Sequence, residues 1–412
     1  MTPPFAVTKD IAGPNTGPLA AYVEPYVTLI QRQGYQPATI RLHLMLIGGL
    51  NRWLVRTHRD LANLDERVLT RFLKDRFGGK PSPSGAPPTL RRLLGLIRAA
   101  GDAPPEKSLS RPSPAECLLE RYRRYMFAEL GLAPTTVVGY TWYIRRFLRA
   151  RYGDGQIDLD RLQAKDAIRF IRRVAQGSGV RHTQLHVAAW RSFLRFLFHQ
   201  GLIKTDFAPA IPNIPHWTLA SLPKPISAEA VQRVLNRCER NTPLQRRNYA
   251  ILLLLARLGL RGGEVIRLNL EDIDWDAARL TIRATKGPGW AQLPLPADAA
   301  KAIAQYLRRD RPSCPSRRVF LRARAPHTGV GSVTAVSCVV RTALKNAGVT
   351  APRIGAHLFR HSLATSMLRQ GASLEEIGQL LRHRSPNTTA VYAKVDVKAL
   401  RPLALSWPGG AR

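Results

Sequence analysis

The chain repeats itself, and this limits its possible folds more than any other feature of the sequence. Gly34, Pro37 and Thr39 in GYQPAT return 97 residues later as Gly131, Pro134 and Thr136 in GLAPTT. Asp60, Leu64, Arg71 and Phe72 return after 98 residues as Asp158, Leu162, Arg169 and Phe170. Leu94 and Gly101 return after 100 as Leu194 and Gly201. A slowly drifting offset is what small loop insertions leave between two copies of one folding unit. The stretches 102–115 and 211–225 are rich in Pro and polar residues and read as linkers. The expected order is a flexible lead-in at 1–19, a helical domain at 20–101, a second copy at 116–210 and a third domain at 226–412.

Apolar residues recurring at i, i+3 and i+4 predict helices over 116–129, 135–151, 163–176 and 182–200. Thr135 or Thr136 is the expected cap of the second, with Pro134 at its entry. The third domain is mixed. ISAEAVQRVLNRC, with Ser227 as N-cap, and PLQRRNYAILLLLARLGL, stopped at Gly259, read as helices. RLTIRA (279–284) and WAQLPL (290–295) read as strands around a TKGPG turn, with RVFL (318–321) as a third. Helices follow over 332–347, 357–370, 373–382 and 386–393. The fold class is therefore mainly α, with a small antiparallel β-sheet in the C-terminal domain of a multidomain chain.

Charge narrows the partner. Sixty-three Lys and Arg oppose 28 Asp and Glu, a formal net charge of +35. Split at residue 225, the halves carry +17 and +18, so the excess belongs to the whole body and not to a tail. A biased genome explains Arg over Lys, but not the shortage of acids. Such a chain attracts polyanions, and double-stranded DNA is the expected partner. In the second copy the basic positions fall on successive helices: Arg145, Arg146 and Arg149, then Arg169, Arg172 and Arg173, then Arg191 and Arg195. These are the candidate phosphate contacts. The sequence contains no apolar run of membrane-spanning length and no secretory leader pattern, so a cytoplasmic protein, nucleoid-associated when bound to DNA, is expected. Cys117, Cys238, Cys314 and Cys338 lack metal-ligand spacing and read as buried thiols.

Four places in the third domain carry chemistry. Arg261, in RLGLRGGE, follows a helix stop and has Glu264 three residues on, a carboxylate able to hold the guanidinium fork toward a phosphate. Lys286 sits at a hairpin tip between Gly287 and Gly289, which permit close approach of a ligand. His357 and Arg360, in HLFRH, share a helix face one turn apart and pair a titratable imidazole with a fixed cation. His383 precedes Tyr392 by nine residues, and a phenol is a nucleophile when neighbouring cations ease formation of its phenolate.

In this order the four places resemble the catalytic domain of the tyrosine recombinases, which include phage integrases and the Xer recombinases. GLRGGEV resembles the first arginine box, HLFRHSLATSML the H-x-x-R-H box and LLRHRSPNTTAVYAKV the His-to-Tyr box, over about 226–395. The resemblance implies a catalytic set of Arg261, Lys286, His357, Arg360, His383 and Tyr392, with Glu264 behind it. It also implies that 116–210 is the helical, SAM-like core-binding domain. The chain departs from the family pattern at Gly262 and Gly263, at TKGPGW, which lacks a second basic residue, and at Arg382, where glycine is usual. The domain at 20–101 lies outside the minimal two-domain pattern.

The implied function is site-specific cutting and rejoining of DNA through a 3′-phosphotyrosine, in integration, excision or transposition of a mobile element. The implied assembly is a homotetramer, or a mixed one with related recombinases, on DNA. No metal and no cofactor are expected, since the sequence carries neither a P-loop nor a clustered carboxylate pair. The rival reading is a DNA-binding or architectural protein of the same family that has lost catalysis.

Overall fold

Residues 16–106, 113–153, 155–215, 225–283, 289–351, 353–383 and 385–393 are described by a computed structural model. The first repeat contributes α1 (Ala20–Arg32), α2 (Pro37–Arg56), α3 (Glu66–Arg76) and α4 (Ala86–Ala99). The second contributes α5 (Pro114–Ala128), α6 (Pro134–Tyr152), α7 (Ala164–Gln176) and α8 (Val180–His199). The start of α2 and that of α6 are 97 residues apart, α3 and α7 start 98 apart, and α4 and α8 end 100 apart. Each repeat closes over its own core. Ile47, Leu50, Phe72, Leu90 and Leu93 are buried in the first, and Ile144, Phe147, Trp190 and Phe193 in the second. The second core is the more aromatic: the Phe147 and Trp190 rings meet edge-on with centroids 4.4 Å apart, a favoured geometry.

Two local expectations are corrected here. Helix α6 is entered through Ala133, with Pro134 at its first position, and neither Thr135 nor Thr136 caps it. Proline with its preset φ makes a side-chain cap dispensable. The last residues of the expected lead-in are packed: Leu19 is fully buried, and Asn51 of α2 accepts its N–H (3.0 Å) and donates to Thr16 O (2.9 Å).

The C-terminal domain is built around α10 (Pro243–Leu258), whose residues 250–256 are all buried. Leu254 and Leu255 are fully buried, and each contributes about 1.5–3 kcal/mol. Against α10 pack α9 (Ala228–Asn236), α12 (Ala297–Arg309), α13 (Val333–Asn346) and α14 (Ala356–Arg369). Ser227 caps α9 as expected, accepting Ala230 N–H at 3.1 Å. The antiparallel sheet runs β1 (Ile273–Asp274), β2 (Arg279–Arg283), β3 (Trp290–Pro294), with Leu280 opposite Leu293 and Ile282 opposite Ala291. Leu280 and Ile282 face the core, and Arg279 and Arg283 face out. The third strand is thus β1 and not 318–321, which makes only isolated bridges, Asn269 with Arg318 and Leu321 with Gly329. None of the four cysteines is buried, although all are free: Cys117 and Cys338 are exposed, Cys238 and Cys314 half-buried.

The described residues group into two compact units. One holds 105–220, and the other joins the first repeat to the chain from 221 onward. Within the latter, His327 N–H donates to Gln33 O (3.0 Å) at the end of α1. Beside it Gly34 takes a φ of 80°, and any side chain there would run into the His327 ring. No helix among the described residues is long and apolar enough to cross a membrane.

Candidate active site and nucleic-acid interface

The site begins where α10 stops. Gly259 has a left-handed φ of 57°, and a Cβ there would lie 2.7 Å from Leu381 Cδ2, so conformation and space both demand glycine. The turn makes Arg261 the N-cap of α11 (Gly262–Arg267), with Glu264 at the third position. The Glu264 carboxylate accepts the Arg261 backbone N–H and its Nη1, both at 2.8 Å, so cap and guanidinium are fixed together. It also accepts Nη2 of Arg382 at 2.9 Å. The Glu264 side chain is 3% exposed, that of Arg382 11% and that of Arg261 33%, so of the two arginines Arg261 is the one presented outward. Burial alone would raise the Glu264 carboxyl, but Arg382 and the bonds from Arg261 outweigh it and hold the pKa below the usual range.

Arg360, on α14, is buried. Its Nη1 donates to Gly259 O (2.7 Å) and its Nη2 to Leu381 O, so it ties the end of α10 to the end of α15 (Leu374–Leu381). Burial, reinforced by Arg261 and Arg382, lowers its pKa to about 10, which leaves it charged at neutral pH. Arg382 stands just after α15 with a φ of 56°, the left-handed conformation in which glycine is usual. A non-glycine residue there costs about 1–2 kcal/mol, and the Glu264 bond offsets this strain.

Tyr392 lies on α16 (Pro386–Ala393), 2% exposed. Its hydroxyl meets Nδ1 of His361 at 2.9 Å, and its ring is nearly parallel to that of His383. Burial raises the phenol pKa, and the charges of Arg360 and Arg261 pull it back. His383 Nδ1 bonds Thr389 Oγ1 at 2.7 Å, which leaves Nε2 to face another partner. Burial and the neighbouring cations lower His361 and His383 to about 4, so both are neutral at pH 7. His357, in the first turn of α14, is exposed as a residue; partial desolvation and the charges of Arg360 and Arg261 also lower its imidazole.

The fold thus gathers Arg261, Glu264, His357, Arg360, His383 and Tyr392 into one electrostatically coupled cluster. Lys286 and the tail after Ala393 lie outside the described residues. Sequence reasoning missed His361. It is the second histidine of H-x-x-R-H, four residues after His357, and that spacing was its available signal. The ring on the phenol is His361, not His357. Among the described residues, no group of three or more His, Cys, Asp or Glu is arranged to hold a metal ion.

The second repeat separates its arginines. Arg146, Arg149, Arg169, Arg172, Arg173 and Arg195 are exposed. Arg146 lies 4.9 Å from the ring centre of the exposed Trp142, and Arg169 and Arg173 line a cavity of about 260 Å³. Two of the expected DNA contacts already have protein partners. Arg145 makes a two-pronged pair with Glu116 (2.7 and 2.9 Å), and Arg191 donates to Asn213 Oδ1 and Ile211 O, both at 2.6 Å.

Comparison with known proteins completes the picture. The profile of the phage integrase family matches residues 224–399, and that of the phage integrase N-terminal SAM-like domain matches 119–201. A protein of Sinorhizobium fredii, provisionally named integrase/recombinase y4rA, is 40% identical over 99% of this chain and all of its own length. The tyrosine recombinase XerA of Thermococcus onnurineus is 31% identical over 69% of this chain and 93% of its own. Among solved structures, a XerH site-specific recombinase bound to palindromic difH substrate, a post-cleavage complex, superposes with a TM-score of 0.56 at 17% identity, covering 72% of this chain and 98% of that one. A lambda integrase dimer bound to a COC′ core site gives 0.51 at 17% identity, covering 67% and 94%. These likenesses show the shared fold.

Proposed function

Because this chain belongs to the tyrosine recombinases of the phage integrase family, we propose that it cuts and rejoins double-stranded DNA at specific sites through a covalent 3′-phosphotyrosine. The observation that carries this reading is the placement of the Tyr392 hydroxyl among His361, His383 and the coupled charges of Arg360 and Arg261. The Tyr392 oxygen attacks the backbone phosphorus, and the bond to the 5′-oxygen breaks. Lys286 supplies the proton that makes the departing 5′-hydroxyl. The tyrosine proton passes to His361, whose basicity rises when an anionic phosphate enters. His357 serves beside the phosphate, and His383 Nε2 donates to it. Arg261 and Arg360 hold the charge that gathers on the non-bridging oxygens, and such donors are worth about 3–4 kcal/mol each. A 5′-hydroxyl from another duplex reverses the step and rejoins the strands, so the phosphodiester energy is kept and no nucleotide is consumed. Since Tyr392 is buried, attack also requires α16 to shift.

The exposed arginines of α6, α7 and α8 hold the duplex backbone. A synaptic tetramer on two duplexes and a role in moving a mobile element complete the reading. A relative with integrase in its name, matching along its whole length, supports that role. Incubation with a nicked suicide duplex carrying the correct site tests the chemistry. A denaturant-resistant protein–DNA adduct that vanishes in Tyr392→Phe supports it. Tight binding with no adduct from the wild-type protein favours the non-catalytic alternative.

A further inference from the structure

We infer that the first repeat carries a second DNA-backbone site, formed by Arg67, Arg71 and Lys74 on one face of α3. The inference rests on the reading of this chain as a DNA enzyme and extends it to a domain whose role that reading leaves open.

The three cations stand at i, i+4 and i+7 and therefore line one helix face over about 10 Å, a length in which a duplex presents about six phosphate charges. All three are exposed, and among the described residues none of their side chains makes an ion pair or hydrogen bond. The acids on and beside the same helix do not pair with them, because each is bonded elsewhere. Asp65 caps α3 by accepting the Arg67 and Val68 N–H groups. Glu66 is held in a two-pronged pair by Arg98 (2.7 and 3.0 Å), and Asp75 accepts the Trp53 indole N–H (3.1 Å).

A cationic helix face is usually only a solvated face. The repeat argues otherwise here. At the 98-residue offset Arg67, Arg71 and Lys74 fall on Lys165, Arg169 and Arg172 of α7, all three exposed and all basic. At the 97-residue offset Arg52 of α2 falls on Arg149 of α6, and both are exposed. The core residues around them have changed type: Leu90 stands where the second copy has Trp190, and Leu93 where it has Phe193. Two copies that differ at such core positions, yet keep positive charge at the same outward ones, share a demand imposed from outside. A polyanion supplies that demand.

The test uses the full chain and a mixed-sequence duplex, with affinity followed by fluorescence anisotropy over a potassium chloride series. In the triple variant R67A/R71A/K74A, the slope of log affinity against log salt should flatten by about 2.7, at about 0.9 per lost phosphate contact. The variant K165A/R169A/R172A should flatten it comparably, and the charge-keeping variant R67K/R71K/K74R should retain the wild-type slope. Alanine on exposed helix positions favours folding, and a thermal melt by circular dichroism confirms it. If the first triple variant keeps the wild-type slope while the second flattens it, the inference is overturned and the enzyme reading stands. If neither flattens, α3 and α7 both lose their DNA-contact assignment and the inference is overturned, while adduct formation at Tyr392 is judged independently by the suicide duplex.

Discussion

Among the described residues Glu264 is the one carboxylate beside the three arginines of the site, and replacing it by glutamine should damage stability and strand cleavage together. The side chain is 3% exposed and accepts three N–H bonds, two from Arg261 and one from Arg382, all between 2.8 and 2.9 Å. Glutamine keeps the shape but removes the charge and turns one acceptor into a donor that faces an arginine. Breaking a buried pair from one side costs about 3–5 kcal/mol, because the partner charge stays behind. Here two partners stay behind, one of them the well-buried Arg382. We expect Glu264→Gln to lower the unfolding free energy by about 3 kcal/mol in urea melts. We expect cleavage of a suicide duplex to slow about a hundredfold, since the Arg261 fork is no longer aimed. Pairing it with Arg382→Met removes the opposed charge and should recover at least about 1 kcal/mol, a coupling within the range of contacting residues. Two single effects that simply add, or a stable and fully active Glu264→Gln protein, would refute the reasoning.

Other outcomes follow from the same geometry. Gly259→Ala meets a left-handed φ and Leu381 Cδ2 at 2.7 Å, and it displaces the carbonyl that anchors Arg360; the melting temperature and the cleavage rate should both fall. His361, His383 and the fully buried His186 have folded-state pKa values near 4, below the unfolded value of about 6.5. The unfolded chain therefore binds more protons, and stability present above pH 6.5 should be lost as pH falls toward 4. A urea midpoint equal at pH 7 and pH 5 would contradict this. Glu264 acts lower: its depressed pKa gives stability above about pH 4.3 that disappears on further acidification. His361→Ala should slow adduct formation more than it weakens DNA binding, and equal losses in both would remove it from the phenol's chemistry. Strand cleavage should proceed unchanged in EDTA, because guanidinium groups meet the phosphate charge; inhibition would point to another mechanism.

Helices were legible wherever apolar spacing was regular, and α5 to α8 fall within a few residues of their expected bounds. The third strand was misassigned because RVFL is apolar enough for a strand, yet β1 needs only two residues to complete the sheet edge. Helix α12 escaped notice although Ala299, Ala302, Ile303 and Tyr306 line one buried face, because three of its apolar positions next to that face are small alanines that do not stand out as a core stripe. That Arg261, Glu264, His357, Arg360, His383 and Tyr392 would lie together was legible in the order of their motifs, while their roles remain a proposal. Three things were not: that His361 would face Tyr392, that Arg382 would share Glu264, and that Arg145 and Arg191 would find protein partners. Each depends on a contact between residues at least 20 positions apart, which no local pattern records.

In the proposed reaction, the charge balance of the site would favour the transition state over the ground state. Arg261, Arg360 and Arg382 bring three positive charges against the single negative charge of Glu264, and His361 and His383 are neutral at pH 7. Their described surroundings are thus left with two uncompensated positive charges before Lys286 is counted. A phosphodiester carries one negative charge, and the five-coordinate phosphorus formed by tyrosine attack carries about two. A site with two spare cations matches the second better than the first, and only an interaction that strengthens on the way to the transition state speeds the step. The same excess explains the tolerance of a neutral phenol. Tyr392 stays protonated because burial dominates, yet the fields of Arg360 and Arg261 already oppose burial. The phenolate character that attack requires therefore develops against a smaller penalty than the same burial would impose without those two guanidinium groups.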